Sequence, residues 1–340
     1  VKNILYIGNN LSKKSHYQNT MAVLSNLFEY EGWNIYRVSS QKNKFLRMFD
    51  MIFKTLLYHR NVDYILIDTF STINYYFALI ISQIARILNK KYIPILHGGN
   101  LPHRLDKNPK LSRMIFSNSY RNVAPSGYLK YEFEKRGFKT EFIPNVINIQ
   151  EYHFVKRTKI QPKILWVRAF AYLYNPNMAI RVVNQLKELY PDVQLCMVGP
   201  DKGDGSFQET QQLVKELALD KNIIFTGVLP MEEWHKLSVD YDIFINTTTI
   251  DNTPVSVMEA MALGLPIIST KVGGIPYLLN DQIDSLLVEN NSINQMVDSI
   301  VYLLNNQEIT KKIAENARLK VESFDWKEVR LKWFDILKIS

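Results

Sequence analysis

The residues best placed to do chemistry are two carboxylates, Asp251 and Glu259, and the helix start between them. The run Asp251-Asn252-Thr253-Pro254-Val255-Ser256-Val257-Met258-Glu259-Ala260-Met261-Ala262-Leu263-Gly264-Leu265-Pro266 reads as a short, fully punctuated helix. Thr253 suits the N-cap, Pro254 the first helical position and Gly264 the left-handed residue after the last turn, and Pro266 blocks continuation. With Thr253 and Pro254 opening the turn, the free amides that follow, those of Val255 and Ser256, converge on one spot that carries about half a positive charge, a cradle for phosphate that needs neither lysine nor metal. A diphosphate is the natural occupant. Glu259, in the second turn, is placed to accept the vicinal hydroxyls of a ribose, as the acidic residue of dinucleotide sites does. Asp251, on the loop before the helix, is free for sugar hydroxyls.

Two more candidates lie in the first half. His97 follows an apolar strand and precedes Gly98-Gly99-Asn100, which puts it at a strand's carboxyl end, where it is either a structural hydrogen-bonder or a site residue. Gly8, before Asn9-Asn10, is a position where backbone approaches a ligand without an intervening Cβ, or a plain turn.

With the continuation Ile267-Ile268-Ser269-Thr270-Lys271-Val272-Gly273-Gly274-Ile275-Pro276, the donor-loop run resembles the retaining family 4 glycosyltransferases of the GT-B fold. Their pattern is E-x7-E, then A-M-A-x-G-x-P and a Gly-Gly turn. Val198-Gly199-Pro200, Phe225-Thr226-Gly227-Val228, Ala124-Pro125-Ser126 and Ile143-Pro144-Asn145 look like landmarks of that family in the expected order. The resemblance implies a nucleoside diphosphate sugar donor, UDP or GDP in the first instance, and no cofactor beyond it. It further implies transfer of a hexosyl-type sugar with retention of anomeric configuration and without a metal, to a glycan or lipid-linked acceptor. It places His97 near the transferred sugar and Arg168, after the strand at 163–167, at the diphosphate, so that His97, Arg168 and Asp251 are the expected catalytic residues. Gly8, Gly199, Val228, Asp251, Thr253, Pro254, Val255, Ser256 and Glu259 are the expected donor-binding residues, with the base on the backbone around Gly227-Val228-Leu229. Three features depart from the pattern: Gly8-Asn9-Asn10 stands in place of a double glycine, Asp251 where the family has Glu, and Tyr172-Leu173-Tyr174-Asn175 where a lysine is expected, leaving Lys271 or Lys202 to supply a second cation.

These residues need a scaffold, and the chain spells one twice. Short β-branched runs alternate with amphipathic stretches, the pattern of βα units around a parallel sheet. Strands are expected at 3–7, 33–38, 64–68, 92–96, 122–124 and 141–143, and again at 163–167, 194–198, 223–226, 243–246 and 266–269. The fold class is α/β, a GT-B arrangement of two Rossmann-like domains facing each other across a cleft: residues 1–150 bind acceptor and 151–325 bind the donor. A polar, basic stretch at 148–162 reads as the linker. The segment 326–340 forms a C-terminal helix packing back toward the first domain, with Trp326, Val329, Trp333, Phe334 and Leu337 at helical spacing.

Bulk properties narrow the class. The 340 residues suit two domains, and with 46% hydrophobic and 22% charged residues the composition is that of a globular chain. The apolar strand at the start leaves no room for a secretory signal, so a cytoplasmic location is expected. Cys196, the only cysteine, lies in an apolar run and is expected to be an inert core residue. The scattered histidines and Asp201, Asp204 and Asp242 form no metal-binding pattern. The net charge of +8 favours an anionic partner, but no nucleic-acid recognition element is visible. Residues 42–60 mix cations with bulky apolar side chains, consistent with an ordinary core helix bearing a basic outer face or with docking on the inner face of a membrane. A non-catalytic nucleotide-sugar-binding or scaffold subunit and a sugar-nucleotide epimerase are the alternative functions.

Overall fold

The computed structural model describes residues 2–8 and 20–337. The chain divides into two compact units, one of residues 1–146 with 326–340 and one of residues 147–325.

The first unit holds strands β1 (Asn3–Ile7), β2 (Asn34–Val38), β3 (Tyr64–Thr69), β4 (Lys91–Leu96), β5 (Asn122–Ala124) and β6 (Thr140–Phe142). They form one parallel sheet in the order β2-β1-β3-β4-β5-β6. Helices on both faces bury β1, β3 and β4 almost completely, which is why they read as continuous apolar runs rather than alternating ones. The last helix, Trp326–Ile336, belongs to this unit. Trp326 and Trp333 meet Phe28 edge-on at 5.7 and 5.5 Å, and Phe28 stacks on Trp33 at 4.7 Å. The Tyr64 hydroxyl donates to the Leu337 carbonyl, fastening the end of that segment to β3. Residues 338–340 of the expected terminal helix lie outside the described residues.

The second unit holds β7 (Lys163–Val167), β8 (Gln194–Val198), β9 (Ile223–Gly227), β10 (Ile243–Asn246), β11 (Ile267–Thr270) and β12 (Leu286–Val288), again parallel, in the order β12-β11-β10-β7-β8-β9. The sequence reading had no β12; this three-residue edge strand is too short for its pattern to stand out from loop. Cys196 is fully buried in β8, and burial pushes its thiol up from the ordinary value.

The expected linker is not one. Residues 148–162 pack into the second unit, which begins at Ile147. Tyr152 and Ile160 are buried there, and the Arg157 guanidinium donates to the carbonyls of Tyr241, Ser238 and Gly264 at 2.7–3.0 Å. Burial lowers the pKa of Arg157 to about 10. Its bonds close otherwise open carbonyls at the ends of neighbouring segments, a task with no apolar periodicity to betray it.

Candidate active site

Each sheet reverses its strand order once, and Gly8, Arg168 and the Asp251 loop follow strands that flank those reversals. In the second unit the chain runs outward from β7 through β9 and returns to place β10 on the other side of β7. Ligands of open α/β sheets bind at the carboxyl ends of strands flanking such a switch point. Arg168 follows β7, and the loop carrying Asp251 follows β10.

Arg168 and Asp251 form an ion pair, with side chains only 12% and 16% exposed. The guanidinium lies over the Tyr174 ring, 4.0 Å from its centroid, and its Nε is buried with no hydrogen-bond partner. Tyr174 belongs to the segment where a lysine was expected. That segment is a single 3-10 turn, Tyr172–Tyr174, ending on Asn175 in the left-handed conformation. It is stitched to the loop after β10: the Leu173 carbonyl accepts the Thr249 amide at 2.8 Å, and the Tyr174 carbonyl accepts the Thr247 hydroxyl at 2.8 Å. An aromatic face thus supports the single arginine at this position, a favourable seat for a cation partly out of water. Lys202 and Lys271 are both exposed, after β8 and β11 respectively.

Backbone contacts fix the Asp251 loop. Its Oδ1 accepts the Asn252 amide at 2.7 Å, and its carbonyl accepts the Gly274 amide at 2.8 Å. The Gly273-Gly274 pair lies directly against this loop: a Cβ at Gly274 would fall 1.8 Å from the Asn252 carbonyl oxygen, and one at Gly273 would fall 2.2 Å from that of Asp251. Gly199, with φ of +149°, performs the same service beneath Arg168, since a Cβ there would fall 1.9 Å from the Arg168 carbonyl oxygen. Val228, after β9, is 42% exposed.

The helix after the loop runs Val255–Ala262, one residue later than expected. Pro254 is its N-cap and has no side-chain capping bond, which places Thr253 just before the helix. Proline's fixed φ of −70° and extended ψ of 116° turn the chain into the first helical residue. The amides of Val255 and Ser256 lie ahead of the first intrahelical donor, the Val257 amide, which reaches the Pro254 carbonyl at 3.1 Å. The Ser256 hydroxyl oxygen is buried without a partner. At the other end Gly264 takes φ of +78°, as the sequence predicts.

Glu259 is buried, and two residues that the sequence reading passed over surround it. The Tyr152 hydroxyl donates to its Oε1 at 3.2 Å, and His235 Nε2 stands 3.9 Å from the same oxygen without a hydrogen-bond partner. The Tyr152 and His235 rings are 4.7 Å apart. Burial, and then the Glu259 charge, raises the Tyr152 pKa far above its ordinary value, so the phenol remains a donor. Tyr152→Phe should therefore cost about 1–3 kcal/mol of stability by leaving a buried carboxylate short of a donor. Urea unfolding measures this, and an unchanged midpoint would show that Glu259 does not depend on the phenol.

In the first unit the switch point lies between β1 and β3; Gly8 follows β1, and His97 follows β4, the strand next to β3. His97 is buried; its Nε2 pairs with Asp68 Oδ1 at 2.9 Å, and its ring stacks on Phe70 at 4.8 Å. Asp68 Oδ1 also accepts the Tyr6 hydroxyl at 3.0 Å. A Cβ at Gly8 would fall 2.3 Å from Asp68 Oδ2, so glycine there makes room for the carboxylate that holds the histidine. Asp68 was not singled out from sequence because it reads as the end of an apolar strand. Asn9 and Asn10 lie outside the described residues.

Two six-stranded parallel sheets with these loops at their carboxyl ends define a GT-B fold. The fold is shared with a sucrose-phosphate synthase of Thermosynechococcus elongatus, at TM-score 0.83 and 15% identity over 99% of this chain and 98% of that one. It is also shared with Anabaena HepE, solved in complex with UDP-glucose, at TM-score 0.75 and 16% identity over 99% of both chains. Residues 148–320 match the family of glycosyl transferases group 1, to which the chain belongs. The match nearly coincides with the second unit. A sulfoquinovosyl transferase of Arabidopsis thaliana is 23% identical over 157 residues, covering 45% of this chain and 29% of the relative. A D-inositol 3-phosphate glycosyltransferase of Corynebacterium glutamicum is 27% identical over 154 residues, 44% of this chain and 37% of the relative. The chain is thus matched to well under half the length of these relatives.

Proposed function

We propose that the protein is a glycosyltransferase that moves a hexosyl-type sugar from a UDP or GDP donor to a glycan or lipid-linked acceptor, with retention and without a divalent metal. The observation that carries this is the placement of Arg168, Asp251 and the first turn of the helix Val255–Ala262 at one switch point, with Glu259 held in the second turn. In this reading the acceptor oxygen bonds to the anomeric carbon on the face from which the diphosphate departs. The bond from that carbon to the phosphate oxygen breaks, and the acceptor proton passes to the leaving phosphate. Arg168 and the Val255 and Ser256 amides meet the charge that develops on the diphosphate. Glu259 takes the ribose hydroxyls, Asp251 the sugar hydroxyls, Gly199 and Val228 flank the nucleotide, and His97, held by Asp68, is assigned to the transferred sugar. Polysaccharide biosynthesis at the cytoplasmic face of a membrane would be the setting. Among the described residues no helix is long and apolar enough to cross a membrane, so contact would be peripheral, through residues 42–60.

Thermal unfolding with UDP, GDP, ADP and CDP and their sugars tests the donor. A ligand at about 100 times its dissociation constant adds about 2.7 kcal/mol, so UDP or GDP should stand out by several degrees and turnover should continue in EDTA. Silence toward every nucleotide would sink the proposal. The Tyr174 ring under Arg168, where a second cation was expected, favours one other reading, a nucleotide-sugar-binding subunit that does not turn over. A thermal response without product from any acceptor or from water would select it.

A further inference from the structure

The helix Lys44–Tyr58 turns its apolar side outward. Phe45, Phe49 and Phe53 are 79%, 69% and 64% exposed, and Leu46, Leu56 and Leu57 are each about half exposed or more. At 3.6 residues per turn and 1.5 Å per residue these six side chains fall within one arc of about 120° along about 18 Å of helix. The opposite face, with Arg47, Met51 and Thr55, is buried against the first unit. The helix is built rather than loosely attached. The Asn43 side chain accepts the Phe45 and Leu46 amides at 2.9 and 3.2 Å, and Arg47 Nε donates to the Gln41 carbonyl at 2.7 Å.

The charges around the arc have one prevailing sign. Lys42 and Lys44 stand at its start and Arg60 beyond its end, while Asp50 is paired with Lys54 at 3.3 Å. Arg47, a cation of the same stretch, is buried and takes no part in this rim. A row of phenylalanines with lysines at the rim is the composition of an interfacial helix, whose apolar face enters the acyl boundary while its cations meet anionic headgroups.

We infer that the helix Lys44–Tyr58 is a membrane-docking surface for bilayers rich in anionic phospholipid, with Phe45, Phe49 and Phe53 inserted and Lys42, Lys44 and Arg60 at the headgroups. The inference rests on the peripheral membrane contact proposed above and is independent of the donor site. Flotation with vesicles of phosphatidylglycerol and phosphatidylcholine, against phosphatidylcholine alone, tests it.

Wild type should float with the mixed vesicles and about tenfold less with the neutral ones. The triple change Phe45→Ser, Phe49→Ser, Phe53→Ser should abolish flotation, and Lys42→Glu with Lys44→Glu should reduce it about tenfold. All variants should keep the wild-type circular dichroism and nucleotide-induced thermal shift, which separates failure of the surface from failure of the donor reading. Absence of flotation, equal flotation with both vesicles, or a dimer in light scattering that the serine variant dissolves would overturn it.

Discussion

Arg168→Ala is expected to lower kcat by about a hundred- to a thousandfold, with a much smaller change in the KM for the donor. The direction follows from where charge appears in the proposed reaction: the diphosphate gains negative charge only as its bond to the anomeric carbon breaks, so a cation placed against it would act mainly in the transition state. Arg168 has few substitutes. Asp251 and Tyr174 fix its guanidinium from two sides, and the turn where a second cation was expected carries only the aromatic support. Arg168→Lys keeps the charge but loses the fork and the planar stacking, so it should recover only part of the rate. Steady-state release of nucleoside diphosphate measures both variants. An unchanged kcat with a raised KM would make Arg168 a binding residue and shift the catalytic assignment to the helix amides.

Gly274→Ala should be nearly as damaging, through geometry alone. Gly274 has an ordinary φ of −83°, so alanine meets no torsional objection. The obstacle is that its Cβ would fall 1.8 Å from the Asn252 carbonyl oxygen and 2.7 Å from the carbonyl carbon, both backbone atoms that no rotamer change can clear. The Asp251-Asn252 segment must move away, stretching the 2.8 Å bond from the Gly274 amide to the Asp251 carbonyl and pulling the Asp251 carboxylate off Arg168. Overpacking of this kind costs about 1–3 kcal/mol of stability, and a misplacement of about 1 Å at a reacting centre costs about a hundredfold in rate. Chemical denaturation and donor turnover read the two effects separately. Wild-type turnover in Gly274→Ala would mean that the position of Asp251 is immaterial to the chemistry.

The strands were legible because buried parallel strands leave dense apolar runs, and the helix after Asp251 was legible because Pro254, Gly264 and Pro266 punctuate it. Its start was misjudged by one residue: threonine's capping preference competes with proline's ability to occupy the cap itself, and nothing local decides between them. Asp68, Tyr152 and His235 were missed for a different reason. Each acts on a partner far along the chain, Asp68 on His97 and the other two around Glu259, so no spacing within the sequence marks them. Tyr152 was further hidden by its neighbours: a run of Lys156-Arg157-Thr158-Lys159 reads as solvated linker until Arg157 is seen closing carbonyls inside the second unit. The surface helix went the other way, since its mixture of phenylalanine and lysine was plain but which of its arcs is left uncovered is settled only by the fold around it.

The return of the helix Trp326–Ile336 to the first unit has a consequence during synthesis. The strands of that unit leave the ribosome first, yet the face of Phe28 that Trp326 and Trp333 cover stays open to water until the whole of the second unit has been translated. The second unit, continuous in sequence, can complete its core while the earlier one still waits. Nascent chains would therefore finish in the reverse of the order in which their units are made, and a ribosome stalled before Trp326 would hold a finished second unit behind an unfinished first.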